Sequence, residues 1–151
     1  MTLREILHVK GHVVHTIGSE TTLDVVVQTL VKHNCGSLVV CDPPPSDPNC
    51  EAPDSMVGII TERDILKATA SHPDRISAVK VADVMSRNVT TGSPDDSVED
   101  TMGLLTDRRI RHLPVIEDGK LVGLISIGDV VKTQYERLSM ENHYLKNYLQ
   151  S

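Results

Sequence analysis

Two hydrophobic rhythms alternate along this chain. Leu23, Val26, Val27, Leu30 and Val31 follow the i, i+3, i+4, i+7, i+8 spacing of a helix with one buried stripe, and Val98, Thr101, Met102 and Leu105 repeat it further on. Each helix is preceded by a capping signal, Thr21 with Asp24 and Asp96 with Glu99. Two short apolar runs with strand character come after each helix: Leu38 to Cys41 with Met56 to Ile60, then Leu113 to Ile116 with Leu121 to Ile125. Glu117-Asp-Gly-Lys120 joins the second pair as an Asp-Gly hairpin. A further helix is predicted to start near Asp64 and another near Asp129, the latter running long, from Val130 to Leu149.

These elements are one unit written twice. Val14 to Asp42 aligns with Val89 to Glu117 at an offset of 75, and Val57 to Lys67 with Val122 to Lys132 at an offset of 65. The 40 aligned positions hold ten identities, and half of them fall within the second stretch of eleven, which makes chance an inadequate explanation. Leu3, Ile6 and Leu7 resemble Val81, Val84 and Met85 at an offset of 78, so a short helix is expected before each repeat. A unit of about 60 residues cannot bury its apolar strand face alone. The expected fold is therefore α/β, of the α+β type: two β-α-β-β-α repeats packed sheet to sheet with pseudo-twofold symmetry. Residues 1–79 form the first repeat with its leading helix, and 80–151 the second with the C-terminal helix. The hand-over lies in Ala70 to Lys80, around His72-Pro73.

The offsets differ because Pro43 to Met56, with five prolines, replaces a tight turn in the first hairpin. Such a segment is expected to be exposed, and serves either as a tolerated insertion or as a lid or partner epitope.

Composition narrows the function classes. At 151 residues the chain is too short for a large multidomain enzyme, and three tyrosines with no Phe or Trp leave a core of Val, Ile, Leu and Met. A net charge of −6 has the wrong sign for binding nucleic-acid phosphates, so no nucleic-acid partner is expected. No apolar run approaches the roughly 20 residues of a membrane span, and Met1 to His8 does not read as a secretory signal, so the expected compartment is the cytoplasm. Cys35, Cys41 and Cys50 form an odd, widely spaced set read as reduced thiols, Cys50 being the candidate for a redox role. His8, His12 and His15 are interrupted by Gly11, which argues against a metal site. No Walker loop, GxGxxG, HExxH or GxSxG occurs, so no catalytic residue is nominated.

The chemistry that remains sits where strand meets helix. Gly58-Ile-Ile-Thr61-Glu-Arg-Asp64-Ile aligns with Gly123-Leu-Ile-Ser126-Ile-Gly-Asp129-Val, placing a hydroxyl residue at a strand end and a carboxylate three residues on. That spacing is itself a capping box and needs no ligand. It also suits a nucleotide, because a helix N-terminus attracts phosphate and a carboxylate there can accept both hydroxyls of a ribose.

At these residues the chain resembles the CBS-domain family, whose tandem pairs, called Bateman modules, bind adenine nucleotides. The resemblance spans Thr2 to Lys132 and is densest from Arg111 to Val130. It implies a tandem pair with two pseudo-symmetric clefts. In the primary cleft Asp129 would hold the ribose, with Ser126 and Gly128 beside it; Arg111 and His112 would meet the phosphates; Thr16 would reach across, and Val14 and Ile17 would line the adenine. The second cleft would use Thr61, Arg63, Asp64 and Thr91. It departs from the family pattern in having uncharged Gly36 and Ser37 where the other repeat has Arg111 and His112.

The expected protein is a stand-alone, non-catalytic sensor of AMP or another adenylate (ADP, ATP or NAD) that requires no cofactor and signals energy or redox state to a regulated partner. The resemblance further implies a homodimer, with Tyr135, Leu138, Leu145, Tyr148 and Leu149 of the last helix as candidate contacts; the same helix could instead close over its own chain. Two alternatives stay open: a nucleotide hydrolase or transferase using Asp64 or Asp129 as base, and a thiol-responsive adaptor working through Cys50 and the proline loop.

Overall fold

The computed structural model describes residues 1–44 and 56–150. The expectations for the proline-rich loop and for Cys50 fall outside them, apart from Pro43, Pro44 and Met56. The elements run α1 (Leu3–Lys10), β1 (Thr16–Ile17), α2 (Leu23–His33), β2 (Ser37–Cys41), β3 (Met56–Thr61), α3 (Glu62–Ser71), α4 (Val81–Val84), α5 (Val98–Arg108), β4 (His112–Glu117), β5 (Lys120–Ser126) and α6 (Ile127–Gln150).

In the first repeat β1 pairs parallel with β2 and β2 antiparallel with β3. In the second, β4 and β5 pair antiparallel in a matching register, His112 opposite Ser126 as Ser37 is opposite Thr61. The expected leading strand of the second repeat shrinks to one parallel bridge, Gly92 to Val115. Pro94 has no N–H to extend a ladder, and the carbonyls of Pro94 and Asp96 accept instead from Arg4 and Leu3 at the start of α1.

Helix starts lie one residue later than the capping signals suggested. The caps are Thr22, whose side chain makes no capping bond, and Ser97, whose hydroxyl accepts from the Asp100 N–H. Thr22 is held extended by its bridge to Lys80, and the Asp96 carboxylate accepts from the Ser93 N–H in the turn before the helix. Both helices end on a left-handed residue, Asn34 and Arg109, at equivalent positions of the two repeats.

Three apolar layers follow from strand alternation. Leu38, Val40 and Ile60 point to the α2 side of the first sheet, and Leu113, Val115 and Ile125 to the α5 side of the second. Val14, Val39, Cys41 and Leu121 fill the layer between the sheets, with Ile116 and Leu124 against them. Each such buried side chain contributes roughly 1.5 to 3 kcal/mol.

The leading helices cross over. Leu3, Ile6 and Leu7 of α1 belong to the core of the second repeat, and Val81 of α4 with the following Met85 to the core of the first. This explains the shared glycine of the repeats. A Cβ at Gly123 would lie 2.5 Å from Leu7, and one at Gly58 would lie 2.8 Å from both Met85 Sδ and the Ser86 carbonyl oxygen. The Ser86 backbone cannot retreat, because it exchanges two hydrogen bonds with Ile59. Gly58→Ala is therefore expected to destabilise the chain by about 1 to 3 kcal/mol through overpacking, read as a lower urea midpoint at unchanged slope.

Candidate functional site

Strand β3 delivers Thr61 to the start of α3, where sequence and geometry agree on a capping box. The Asp64 carboxylate Oδ2 accepts from the Thr61 N–H at 2.9 Å, and the Asp64 N–H donates to Thr61 Oγ1 at 3.4 Å. Strand β5 does the same for α6: the Ser126 N–H donates to Asp129 Oδ2 at 2.8 Å and the Asp129 N–H to Ser126 Oγ at 3.1 Å. A second matched pair lies just beyond, since Glu62 N–H donates to the Gly36 carbonyl and Ile127 N–H to the Arg111 carbonyl. The two strand-to-helix corners are thus pseudo-symmetric to the level of single hydrogen bonds.

They are not chemically equivalent. A cavity of about 800 Å³ opens at the Asp64 corner, lined by Thr61, Arg63, Asp64 and Lys67, by Ile59 and Val89, and by Arg109, Arg111, His112 and Ser126 from the second repeat. The sequence expectation paired Arg111 and His112 with Asp129; both line the cavity that Thr61 and Asp64 line, together with Ser126 of the Asp129 corner. Gly36, the counterpart of Arg111, has no side chain, and a Cβ there would come within 3.1 Å of Glu62 Oε1 and 3.3 Å of His112 Nε2, so the bare glycine admits the imidazole from across the interface.

Asp129, in contrast, is already paired. Lys10, the last residue of α1, donates to Asp129 Oδ2 at 2.6 Å and to the Leu124 carbonyl at 2.8 Å. At the offset that relates the two leading helices, the counterpart of Lys10 is Asn88, a neutral residue that lines the cavity near Asp64. Burial pushes the Asp129 carboxyl up, but the bonds from Lys10 and Ser126 outweigh it and hold the group below the usual carboxylate range.

The other residues expected around Asp129 come from the start of the first repeat and from α6. Val14 is buried between the sheets and Ile17 lies in the core of the first repeat, so neither lines the cavity. Thr16 pairs with Val39 in the first sheet and Gly128 is exposed on the first turn of α6; Thr91, expected in the second cleft, is exposed beside the cavity residues Val89 and Thr90.

The sequence reading missed Lys10, Lys67 and Arg109. Lys10 had a visible signal, since it lies three residues after Leu7 on the buried stripe of α1, where a cation needs a partner. Arg109 had less: it enters the cavity through a left-handed φ of 54° that ends α5, a conformation uncommon for a residue with a Cβ.

Among the histidines once considered for metal, His12 Nδ1 sits 2.7 Å from the Val122 carbonyl oxygen and His15 stacks on His33 at 3.9 Å. Of the thiols, Cys41 is buried between the sheets, and burial pushes the Cys35 thiol up. Among the described residues, no helix is long and apolar enough to cross a membrane.

Two related repeats, βαββα and αββα, exchange their leading helices and hold a cation-lined cavity at their junction. The CBS domain family matches the chain over residues 3–71 and 81–136. The chain is 37% identical over 126 residues to the Arabidopsis thaliana protein "CBS domain-containing protein CBSX3, mitochondrial", covering 82% of this chain but only 58% of that relative's length. The CBS-domain containing protein of Agrobacterium tumefaciens shares the fold with a TM-score of 0.79 at 34% identity, over 89% of this chain and 99% of that one. Two similar structures at 25% identity hold ligands: a CBS domain protein of Pyrobaculum aerophilum complexed with AMP (TM-score 0.69, 85% and 89% covered) and the CBS domain pair of protein MJ0100 with 5′-methylthioadenosine and S-adenosyl-L-methionine (TM-score 0.72, 91% and 98% covered). This chain belongs to the CBS domain family and carries two of its repeats.

Burial holds His112 below its ordinary value of 6.5; Lys10 and Arg111 add to this, while Glu62 and Asp129 oppose it. A base with a depressed folded value favours the fold while it is neutral. That contribution is complete above about pH 6.5 and is lost as pH falls below it. His15, lowered by burial and by His33, acts in the same direction. His112→Gln is expected to flatten, without abolishing, the fall in melting temperature between pH 7 and pH 5, as read by differential scanning fluorimetry.

Proposed function

We propose that this protein is a non-catalytic regulatory module that binds one adenine nucleotide per chain, AMP being the first candidate, in the cavity around Thr61 and Asp64, and passes its occupancy to a partner protein. The observation that carries this reading is the concentration of four cations, Arg63, Lys67, Arg109 and Arg111, against two carboxylates, Glu62 and Asp64, in one cavity of a chain of net charge −6. Asp64 offers acceptors for the ribose diol, the cations and the first turn of α3 suit an anionic tail, and Ile59 and Val89 give an apolar wall for the purine. AMP, 5′-methylthioadenosine and S-adenosyl-L-methionine, the ligands of the similar structures, have the adenosine portion in common. Four cations favour a phosphate tail over a sulfonium.

The site ranking reverses the expectation from sequence. Lys10 already supplies Asp129 with a charge-assisted partner, which a ribose would have to displace. The Asp64 cavity draws residues from both repeats, so a ligand there binds one relative arrangement of the repeats better than another. That differential affinity is all that regulation requires.

A thermal-shift panel of AMP, ADP, ATP, NAD, NADH and S-adenosylmethionine tests the reading. A ligand at 100 times its Kd should add about 2.7 kcal/mol to folding stability. Asp64→Ala and Arg111→Ala are each expected to remove most of the AMP shift, and Asp129→Ala to leave it largely intact. A wild-type shift in Asp64→Ala, or no shift with any adenylate, would rule the assignment out.

A further inference from the structure

Helix α6 runs 24 residues, but only its first turns belong to the body of the molecule. Val130 is buried in the second core, Arg137 reaches Glu99 of α5, and every residue from Tyr135 to Gln150 is exposed. The expectation that this helix closes over its own chain is therefore not met. An isolated helix of this length is marginal in water unless an apolar face is covered.

The exposed stretch has such a face, and its spacing is specific. Val131, Tyr135, Leu138, Asn142, Leu145 and Leu149 follow one another at steps of 4, 3, 4, 3 and 4, the 3.5-residue repeat of a coiled-coil seam. Tyr135, Asn142 and Leu149 take the a positions, and Val131, Leu138 and Leu145 the d positions. This seam is turned roughly 100° about the helix axis from Val130, away from the body, and Leu138 and Leu145 are each 62% exposed.

We propose that α6 pairs with α6 of a second copy of this chain as a parallel two-stranded coiled coil, with the two Asn142 side chains meeting across the seam. Three features select a second copy. Leucine at two of the three d positions, Leu138 and Leu145, suits a two-stranded parallel pair. An amide both donates and accepts, so one Asn142 satisfies another, and a lone polar a position fixes register and strand number. Glu141 at a g position lies five residues before Lys146 at an e position, so in a parallel pair each Glu141 faces the partner subunit's Lys146. Glu141 also has Arg137 at 3.4 Å along its own helix.

The test is the mass of the full chain by light scattering and sedimentation at micromolar concentration. The wild type is expected to be a dimer, and Leu138→Asp with Leu145→Asp to be monomeric with an unchanged melting transition of the body. Glu141→Lys alone and Lys146→Glu alone should each weaken dimerisation by about threefold to tenfold, and the double reversal should restore it. Asn142→Ile should tighten self-association and broaden it to higher oligomers. A monomeric wild type, or a dimer that survives the Leu138 and Leu145 substitutions, would overturn the proposal, and an unrescued charge reversal would overturn the parallel register.

Discussion

The structure depends on the exchange of leading helices between the repeats. Leu3 and Leu7 cover the second sheet, and Val81 and Met85 cover the first, each set seated where the receiving strand has a glycine. Neither repeat has a complete core without a segment that the alignment assigns to the other half. The sheets are then held face to face by Val14, Val39, Cys41 and Leu121, and the junction becomes a fixed frame rather than a contact between independent bodies.

That frame makes the two strand-to-helix corners nearly superposable in their backbones, so their difference comes from a few side chains. Arg111 and His112 stand against Gly36 and Ser37, Arg63 against Gly128, and Lys10 against Asn88. One corner lines a cavity that receives cations from both repeats beside Glu62 and Asp64; in the other, a lysine from the crossing helix pairs with the carboxylate. Divergence at a handful of positions is enough to leave one carboxylate lining a cavity and the other in an internal ion pair.

Much of this was legible in the chain. Periodicity located the helices, alternation located the strands, and the repeated Gly58 and Gly123 stretches marked the corners that carry Asp64 and Asp129. Helix starts were misplaced by one residue because Thr21 and Thr22, or Asp96 and Ser97, offer adjacent capping oxygens, and tertiary bonds to Lys80 and within the Ser93 turn select between them. The second leading strand was lost to contacts that α1 makes from more than 80 residues away.

Local composition and spacing by themselves determined the duplicated unit, its capping boxes and the heptad stripe of α6, because each depends on residues within a few turns or one strand of each other. Only the tertiary structure decided which carboxylate meets an internal cation and which lines the cavity. Lys10 and Asp129, or Gly36 and His112, are remote in sequence and meet through the helix exchange and the sheet packing. A pairwise electrostatic or steric contact falls off over a few ångströms, and sequence separation carries no information about that distance.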